Sequence, residues 1–536
     1  MTEAADILAR AFYQAGCRYA FGMPGGEVLR LLRAFEEAGI AFHLAKHETP
    51  AGFMAEGAYH MTGAPGILLA TLGPGVTNAV NAVANAWQDR VSLLFVTGCV
   101  DPIDQEGYTH QVFDHGRFLA PVVKGSFTLV DGAVEIIVEK ALRLATEGRP
   151  GPVHIDVPIS LAGRAQPAAP PVRPPRLAAM EPAPGPDLEQ AKEALARAER
   201  PVVVAGMEVL HQGAERALAD LIESHGLPLI TTYKAKGVVD ENHPLVLGGA
   251  GLSPLADEVL LPLVAEADFV LLAGYDPIEM RHGWKRPWDP GRTTVVELTG
   301  APNYHGMHQA GLSLVGSIAH GLARLSEGAT PKARWPGGQI EAARAALAER
   351  FPADEAWGPA AVVEEVRRAL PADGVASADS GAHRILLSQI WRCPAPRTLL
   401  QSSGFCTMCP ALPLAIGAKL AAPQRPVVAF TGDAGLEIVL GELATLRDLA
   451  LPVTVVVFVD ASLALIELKQ RGQGDPNRGV DFGATDFPAV AQALGGHGVV
   501  VSDRAALRAA LGTSLAADRF TVIAAEIGAQ AYDGRF

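Results

Sequence analysis

The chain has 536 residues, 49% of them apolar and 19% charged, with 44 Lys and Arg against 58 Asp and Glu for a net charge of −14. That length calls for about three cores, the composition excludes wholesale disorder, and the acidic balance argues against a nucleic acid partner. The longest apolar runs, such as VTVVVFV at Val453, fall far short of the roughly 20 residues that cross a bilayer, and no membrane is expected. The start carries Glu3 and Asp6 where an export signal needs basic residues, and it reads as an amphipathic helix. A cytoplasmic protein is expected.

Two proline-rich stretches, 165–187 and 328–345, read as linkers. They leave an N-terminal domain over 1–164, a central domain over 188–327 and a C-terminal domain over 346–536. In chain order, short β-branched runs alternate with helical patterns: GILLATL, SLLFVTG and VHIDVP in the first, PVVVAG, DFVLLAG and TTVVEL in the second, PVVAFTG and VTVVVFV in the third. The alternation predicts an α/β protein of three doubly wound parallel-sheet domains. Ligands in such sheets bind beyond the carboxyl ends of the strands. No segment contains GxGxxG, so the central domain is expected to be Rossmann-like in shape without the dinucleotide fingerprint. Five cysteines make no disulfide framework, and the lone CxxC of Cys406 and Cys409 reads as a tight loop.

The first segment holds FGMPGGEVL from Phe21, KHETPAGFM from Lys46, LLATLGPGVTN from Leu68 and YTHQVFDHGRF from Tyr108. Taken singly, Glu48 is a solvated glutamate opening a helix and Gly73-Pro74-Gly75 is an ordinary loop. The third segment holds SADSGAHRI from Ser377 and QSSGFCTMCP from Gln401, then one βαβ unit. Its first strand ends at Asp433-Ala434-Gly435, a helix is expected over LEIVLGELATLRDLA, and its second strand ends at Asp460-Ala461-Ser462. A right-handed crossover places the two strands close in one sheet, so both carboxylates can meet one cation. Two hard oxygens, a backbone carbonyl and phosphate oxygens suit Mg²⁺. The turn from Gly432 opens a helix whose first amides favour a phosphate. The plainer alternative is that both aspartates cap a helix and a turn.

In this order the motifs resemble those of thiamine diphosphate enzymes, and of acetolactate synthase-like members in particular, over nearly the whole chain. The first segment resembles the family's pyrimidine-binding domain, the third its diphosphate-binding domain. The resemblance implies thiamine diphosphate and Mg²⁺ as cofactors, with the metal on Asp433, Asp460 and the backbone of Ser462. It implies cofactor contacts from Gly432, Ala434, Gly435 and Leu463, and diphosphate contacts from Gly381, Ala382 and His383. It further implies that Met408 wedges between the cofactor rings, that the Cys406 carbonyl meets the aminopyrimidine, and that Glu48 bonds that ring in a crevice lined by Pro24, Thr71, Pro74 and Asn78. A carboxyl group in such a crevice keeps a usable proton. Two departures stand out: Ala434 replaces a glycine, and Val459 and Asp460 replace two asparagines. Ala434 is expected to resist a positive φ.

Near the substrate, the resemblance points to Gln111, to His110 and His115 beside it, and to Lys124 at the pocket mouth, although a surface lysine is the commoner reading. Lys469 falls where acetolactate synthases carry a substrate-selecting tryptophan. GYDPIEM at Gly274 resembles the central domain of catabolic acetolactate synthases, so FAD is not expected. The resemblance also implies a homodimer at minimum, with Glu48 from one chain and Asp433 from the other, and a homotetramer as the usual state. The activity implied is decarboxylation of a 2-oxo acid and transfer of the acyl carbanion to a second carbonyl compound. Two alternatives remain: a simple 2-oxo acid decarboxylase releasing an aldehyde, and a non-catalytic thiamine diphosphate-binding paralogue, for which Val459 and Ala434 argue.

Overall fold

The computed structural model describes residues 2–167, 172, 180–304, 306–328 and 334–536. It contains three six-stranded parallel sheets. In the N-terminal domain the strands lie in the order Ala41–Leu44, Tyr19–Met23, Gly66–Ala70, Leu93–Cys99, Pro152–Pro158, Gly125–Thr128. The C-terminal domain repeats that order with Leu399–Gln401, Val375–Ala378, Val427–Gly432, Thr454–Val459, Thr521–Glu526 and His497–Val501. Strands such as Gly66–Ala70 and Leu93–Cys99 are buried along their whole length because helices cover both faces, which is why they read as apolar runs rather than alternating ones.

The central sheet runs Val246–Ala250, Leu229–Thr232, Pro201–Ala205, Phe269–Ala273, Thr294–Thr299, Leu312–Val315. This is the strand order of the Rossmann fold. Its expected C-terminal linker contains a helix, Gln339–Arg350, whose Ile340, Ala343 and Leu347 pack into the central domain's core with Leu260 and Val264. Residues 168–171 and 173–179 of the first expected linker, and residues 329–333 of the second, lie outside the described residues. No described helix is long and apolar enough to cross a membrane.

The N- and C-terminal domains share one apolar core that runs from Phe53 and Met54 to Leu412 and Ile416. Its centre is the crossing of two helices, Glu48–Thr62 and Ala411–Ala421. A Cβ on Gly57 would strike the Leu414 carbonyl, and one on Gly417 the Met54 carbonyl. The first helix starts with the His47 side chain accepting the Thr49 amide at 3.1 Å and stops at Gly63, whose φ of 73° suits a glycine.

The single helix expected after Asp433 is two, Asp433–Ile438 and Glu442–Asp448, separated at Val439–Gly441. The break turns Glu442 toward the N-terminal domain, where its Oε1 accepts the Lys46 amide at 2.9 Å, two residues before Glu48. Lys46 Nζ adds a bond to Asp448 at 2.7 Å.

Gly417→Ala should destabilise the protein by about 1–3 kcal/mol through overpacking, read as a fall of the thermal midpoint. Gly441→Ala should leave the midpoint in place, because the Cβ would meet only the Lys46 side chain, its Cβ at an ordinary 3.4 Å and its Cγ at 3.8 Å. Equal midpoints for the two variants would contradict the close helix crossing.

Candidate active site

The two outer sheets reverse their winding between the strand pairs Tyr19–Met23/Gly66–Ala70 and Val375–Ala378/Val427–Gly432. Crevices form at such points beyond the carboxyl ends of the strands. At the second crevice lies a cavity of about 240 Å³ walled by Gly381, Ala382, His383, Met408, Gly432, Asp433, Ala434, Gly435, Asp460, Ser462 and Leu463. Eleven residues separated by as much as 82 positions in sequence thus converge on one space.

Asp433 opens its short helix with Oδ1 accepting the Ala434 amide at 2.8 Å and Oδ2 accepting the Asp460 and Ala461 amides at 3.1 and 2.7 Å. These bonds tie the two strand ends together and set the carboxylates side by side. Asp460 Oδ1 accepts the Ser462 amide at 3.3 Å. Burial and then the neighbouring Asp433 charge push Asp460 up to about 7, and burial likewise raises Asp433. Two carboxylates that each oppose the other's ionisation fit a divalent cation between them. His383 is buried and held neutral, lowered to about 3 chiefly by burial, and its ring stacks on Phe458 at 5.3 Å. Its Nε2 has no partner among the described residues, so a polar atom at the cavity wall is free for a ligand.

The departures from the family motif have local explanations. Residue 434 lies in a helical turn and needs no positive φ, so alanine fits without the expected conformational cost. The left-handed residue is Ala461, φ 54°. Gly435 is required because a Cβ there would strike Asp379 Oδ2. Val459 packs into the core shared by the two outer domains, so an apolar side chain is accommodated.

At the first crevice Glu48, 5% exposed, opens the Glu48–Thr62 helix, and its Oε2 accepts from Asn78 Nδ2 at 3.0 Å. Pro24 follows Tyr19–Met23, Thr71 follows Gly66–Ala70, and Pro74 opens the helix that carries Asn78. Thr71 Oγ1 donates to Glu27 at 2.5 Å. Gln111, with φ 60°, presses its backbone on Gly73: a Cβ on that glycine would stand 2.6 Å from the Gln111 carbonyl oxygen.

Other sequence candidates fall elsewhere. Lys124 is not brought to either crevice. It precedes the strand Gly125–Thr128, at the amino edge of the sheet, and its Nζ donates to the Glu147 and Arg149 carbonyls at 2.7 Å each. Two carbonyl acceptors at that edge hold the amine away from the carboxyl ends of the strands. His110 and Lys469 are exposed. Cys406 stands beside the cavity rather than in its wall, φ 57°, with its thiol donating to the Ser403 carbonyl at 3.1 Å. All five cysteines are free, and only Cys406 is not buried.

Sequence reasoning missed Phe458, Tyr532, Ile466 and Ser380 in the cavity wall. Phe458 was legible, since alternation along Thr454–Val459 places it on the face opposite Val459. Tyr532 had no signal, because only tertiary folding brings the C-terminal segment back to the cavity.

Paired crevices, with a carboxylate couple in one and a buried glutamate in the other, define a two-site protein of the α/β class. Comparison with known proteins agrees. Residues 2–118, 188–325 and 379–525 match the N-terminal TPP binding, central and C-terminal TPP binding domains of thiamine pyrophosphate enzymes. The acetolactate synthase large subunit of Parasynechococcus marenigrum is 31% identical across 97% of this chain and 86% of its own length. The acetolactate synthase of Bacillus subtilis is 28% identical across 93% and 88%. A probable 2-ketoarginine decarboxylase of Pseudomonas aeruginosa is 30% identical across 92% and 88%. The chain belongs to the thiamine pyrophosphate enzyme family and is acetolactate synthase-like.

Asp460, ordinarily 3.8 and here about 7, keeps its proton in the folded protein where the unfolded chain has lost it. The stability this group contributes is therefore lost as pH rises from about 4 to about 7. Across that window the metal-free thermal midpoint should fall more steeply for wild type than for Asp460→Asn, and Mg²⁺ should stabilise wild type more. Parallel profiles and equal stabilisation by Mg²⁺ would show that Asp460 neither retains a raised proton nor meets the ion.

Proposed function

We propose that the protein decarboxylates a 2-oxo acid and transfers the remaining acyl unit to a second carbonyl compound, using thiamine diphosphate and Mg²⁺. The observation that carries this reading is the buried Glu48, oriented by Asn78 at the carboxyl edge of the N-terminal sheet. A binding module has no use for a buried proton-handling carboxyl group, which argues against the non-catalytic alternative.

Asp433, Asp460 and the Ser462 backbone would hold the metal, and Gly381, Ala382 and His383 the diphosphate. Bound thiamine diphosphate supplies a carbon nucleophile and an electron sink for the 2-oxo acid. Glu48 would hold or move a proton at its carboxyl oxygens, whose direction Asn78 fixes. Pro24, Thr71 and Pro74 line the crevice around it, and Gln111 meets substrate from the loop over Gly73. Met408, Phe458, Leu463, Leu465 and Ile466 give the cavity an apolar wall that excludes water, which favours loss of carbon dioxide from a charged acid.

The cavity's described lining comes entirely from residues 380–532. On this reading, and as the resemblance implies, Glu48 serves the C-terminal half of another copy, with a homodimer as the smallest working unit and a tetramer built from two. Leu29 and Leu44 beside the first crevice, and Ile438 and Ile466 beside the second, are exposed in the single chain and fit such a contact. Flavin has no part in this reading: at the carboxyl ends of Pro201–Ala205 and Phe269–Ala273, Glu208 and Asp276 are engaged by Arg149 and Arg90. Free thiols support a reducing, cytoplasmic setting. A second reading, plain decarboxylation to an aldehyde, is favoured by the decarboxylase among the relatives.

With thiamine diphosphate, Mg²⁺ and a panel of 2-oxo acids headed by pyruvate, wild type should release carbon dioxide and form an acyloin. Glu48→Gln should lower that rate by about 100-fold or more. An aldehyde as sole product would select the second reading, and an unchanged rate in Glu48→Gln would refute the role of Glu48.

A further inference from the structure

Behind the Gly73 turn lies a buried polar cluster that reaches beyond the quoted motifs. His115, His154 and Asp156 are buried, with ligand-type atoms within 4.8 Å of one another. Hydrogen bonding accounts for those atoms without a metal. The Gly73 amide donates to His115 Nε2 at 3.2 Å. That nitrogen therefore carries no proton, and Nδ1–H donates to Asp156 Oδ1 at 2.8 Å. Thr97 Oγ1–H donates to the same oxygen at 2.5 Å. The Thr97 oxygen in turn accepts from His154 Nε2 at 2.8 Å, and His154 Nδ1 accepts from Ser126 Oγ at 2.7 Å. A metal would have to displace several of these bonds. Burial raises Asp156, but the hydrogen bond from His115 and the nearby His154 ring outweigh it and keep the carboxylate ionised.

We propose that His115 is a positioning residue for the proton-handling half of the site, holding the Gly73–Gly75 turn in place through the Gly73 amide. Pro74 has no N–H, so that amide is the turn's handle at this point. Gly73 sits in the left-handed region, φ 61°, directly beneath the Gln111 backbone. Gly75 stands so close to Glu48 that a Cβ on it would lie 3.5 Å from Oε1. The turn thus touches both Gln111 and Glu48. Asp156 and Thr97, at the carboxyl ends of neighbouring strands, select the tautomer whose lone pair faces the turn, as a carboxylate beside a ligating or catalytic imidazole does elsewhere. The inference rests on the function proposed above for the catalytic part of its test alone.

Glutamine and asparagine separate the two nitrogens. His115→Gln sets a polar atom near the Nε2 position and can accept the Gly73 amide. His115→Asn sets one near Nδ1 and keeps only the Asp156 partner. The asparagine variant should lower kcat for carbon dioxide release about tenfold with substrate KM within about twofold. It should also speed amide hydrogen exchange in residues 66–78, measured on the full protein without substrate. The glutamine variant should stay near wild type in both. Wild-type exchange and kcat in the asparagine variant would overturn the proposal, as would equal impairment of both variants, which marks packing alone. So would a stoichiometric transition metal in the purified protein that His154→Ala removes. If wild type turns over no 2-oxo acid, the reaction reading fails, and exchange in residues 66–78 still decides whether His115 holds the turn.

Discussion

Gly57 and Gly417 let the helices Glu48–Thr62 and Ala411–Ala421 cross so closely that each glycine faces the other helix's main chain rather than a side chain. The shared core around that crossing orients the N-terminal domain against the C-terminal one. Glu48 is the first residue of one of these helices, nine residues and about 14 Å from Gly57 at 1.5 Å per residue. Its direction is therefore set by packing a long way from the crevice it serves. Glu442 adds a second constraint by accepting the Lys46 amide just before the helix begins. Domain orientation and site geometry are in this sense the same variable.

The two outer domains share a strand order, and each offers its crevice at the equivalent reversal of winding. One has acquired a carboxylate couple with an apolar wall, the other a buried glutamate with an amide partner. The central domain has the topology that elsewhere binds nucleotides, yet its own residues occupy the crevice. Glu208 there accepts from Thr299 at 2.9 Å and from Arg149 of the N-terminal domain at 3.1 Å, while Asp276 accepts from Arg90 at 2.8 Å. Groups at a ligand crevice have become the polar contacts that dock the domain.

Much of this was legible in the sequence. Apolar runs with carboxylates or glycines at their ends located the strands and, by the rule that ligands sit beyond carboxyl ends, the residues Asp433 and Asp460, whereas Gly381 came from the resemblance alone. Lys124 was misplaced because a position one residue before a strand lies at the sheet's amino edge, and spacing from Gln111 does not reveal which edge a loop reaches. The break at Val439–Gly441 was hidden by an apolar pattern that continues through it. Of the His115 cluster only His115 itself was named, as a substrate-side residue: it opens the short helix His115–Leu119, its partners come from three strands, Leu93–Cys99, Gly125–Thr128 and Pro152–Pro158, and a histidine in isolation carries no sign of its tautomer or partners.

The thiols lend the molecule a practical property. Cys17 and Cys409 are pushed up to about 12 by burial, and burial raises Cys99 and Cys393 as well. Thiolate is the reactive form, so these four are shielded both sterically and chemically from alkylating reagents. Cys406 alone is partly accessible, and it lies two residues from Met408 in the cavity wall. A maleimide dye would thus find a single native attachment point at the rim of that cavity, giving an optical reporter of what enters it without removal of any other cysteine.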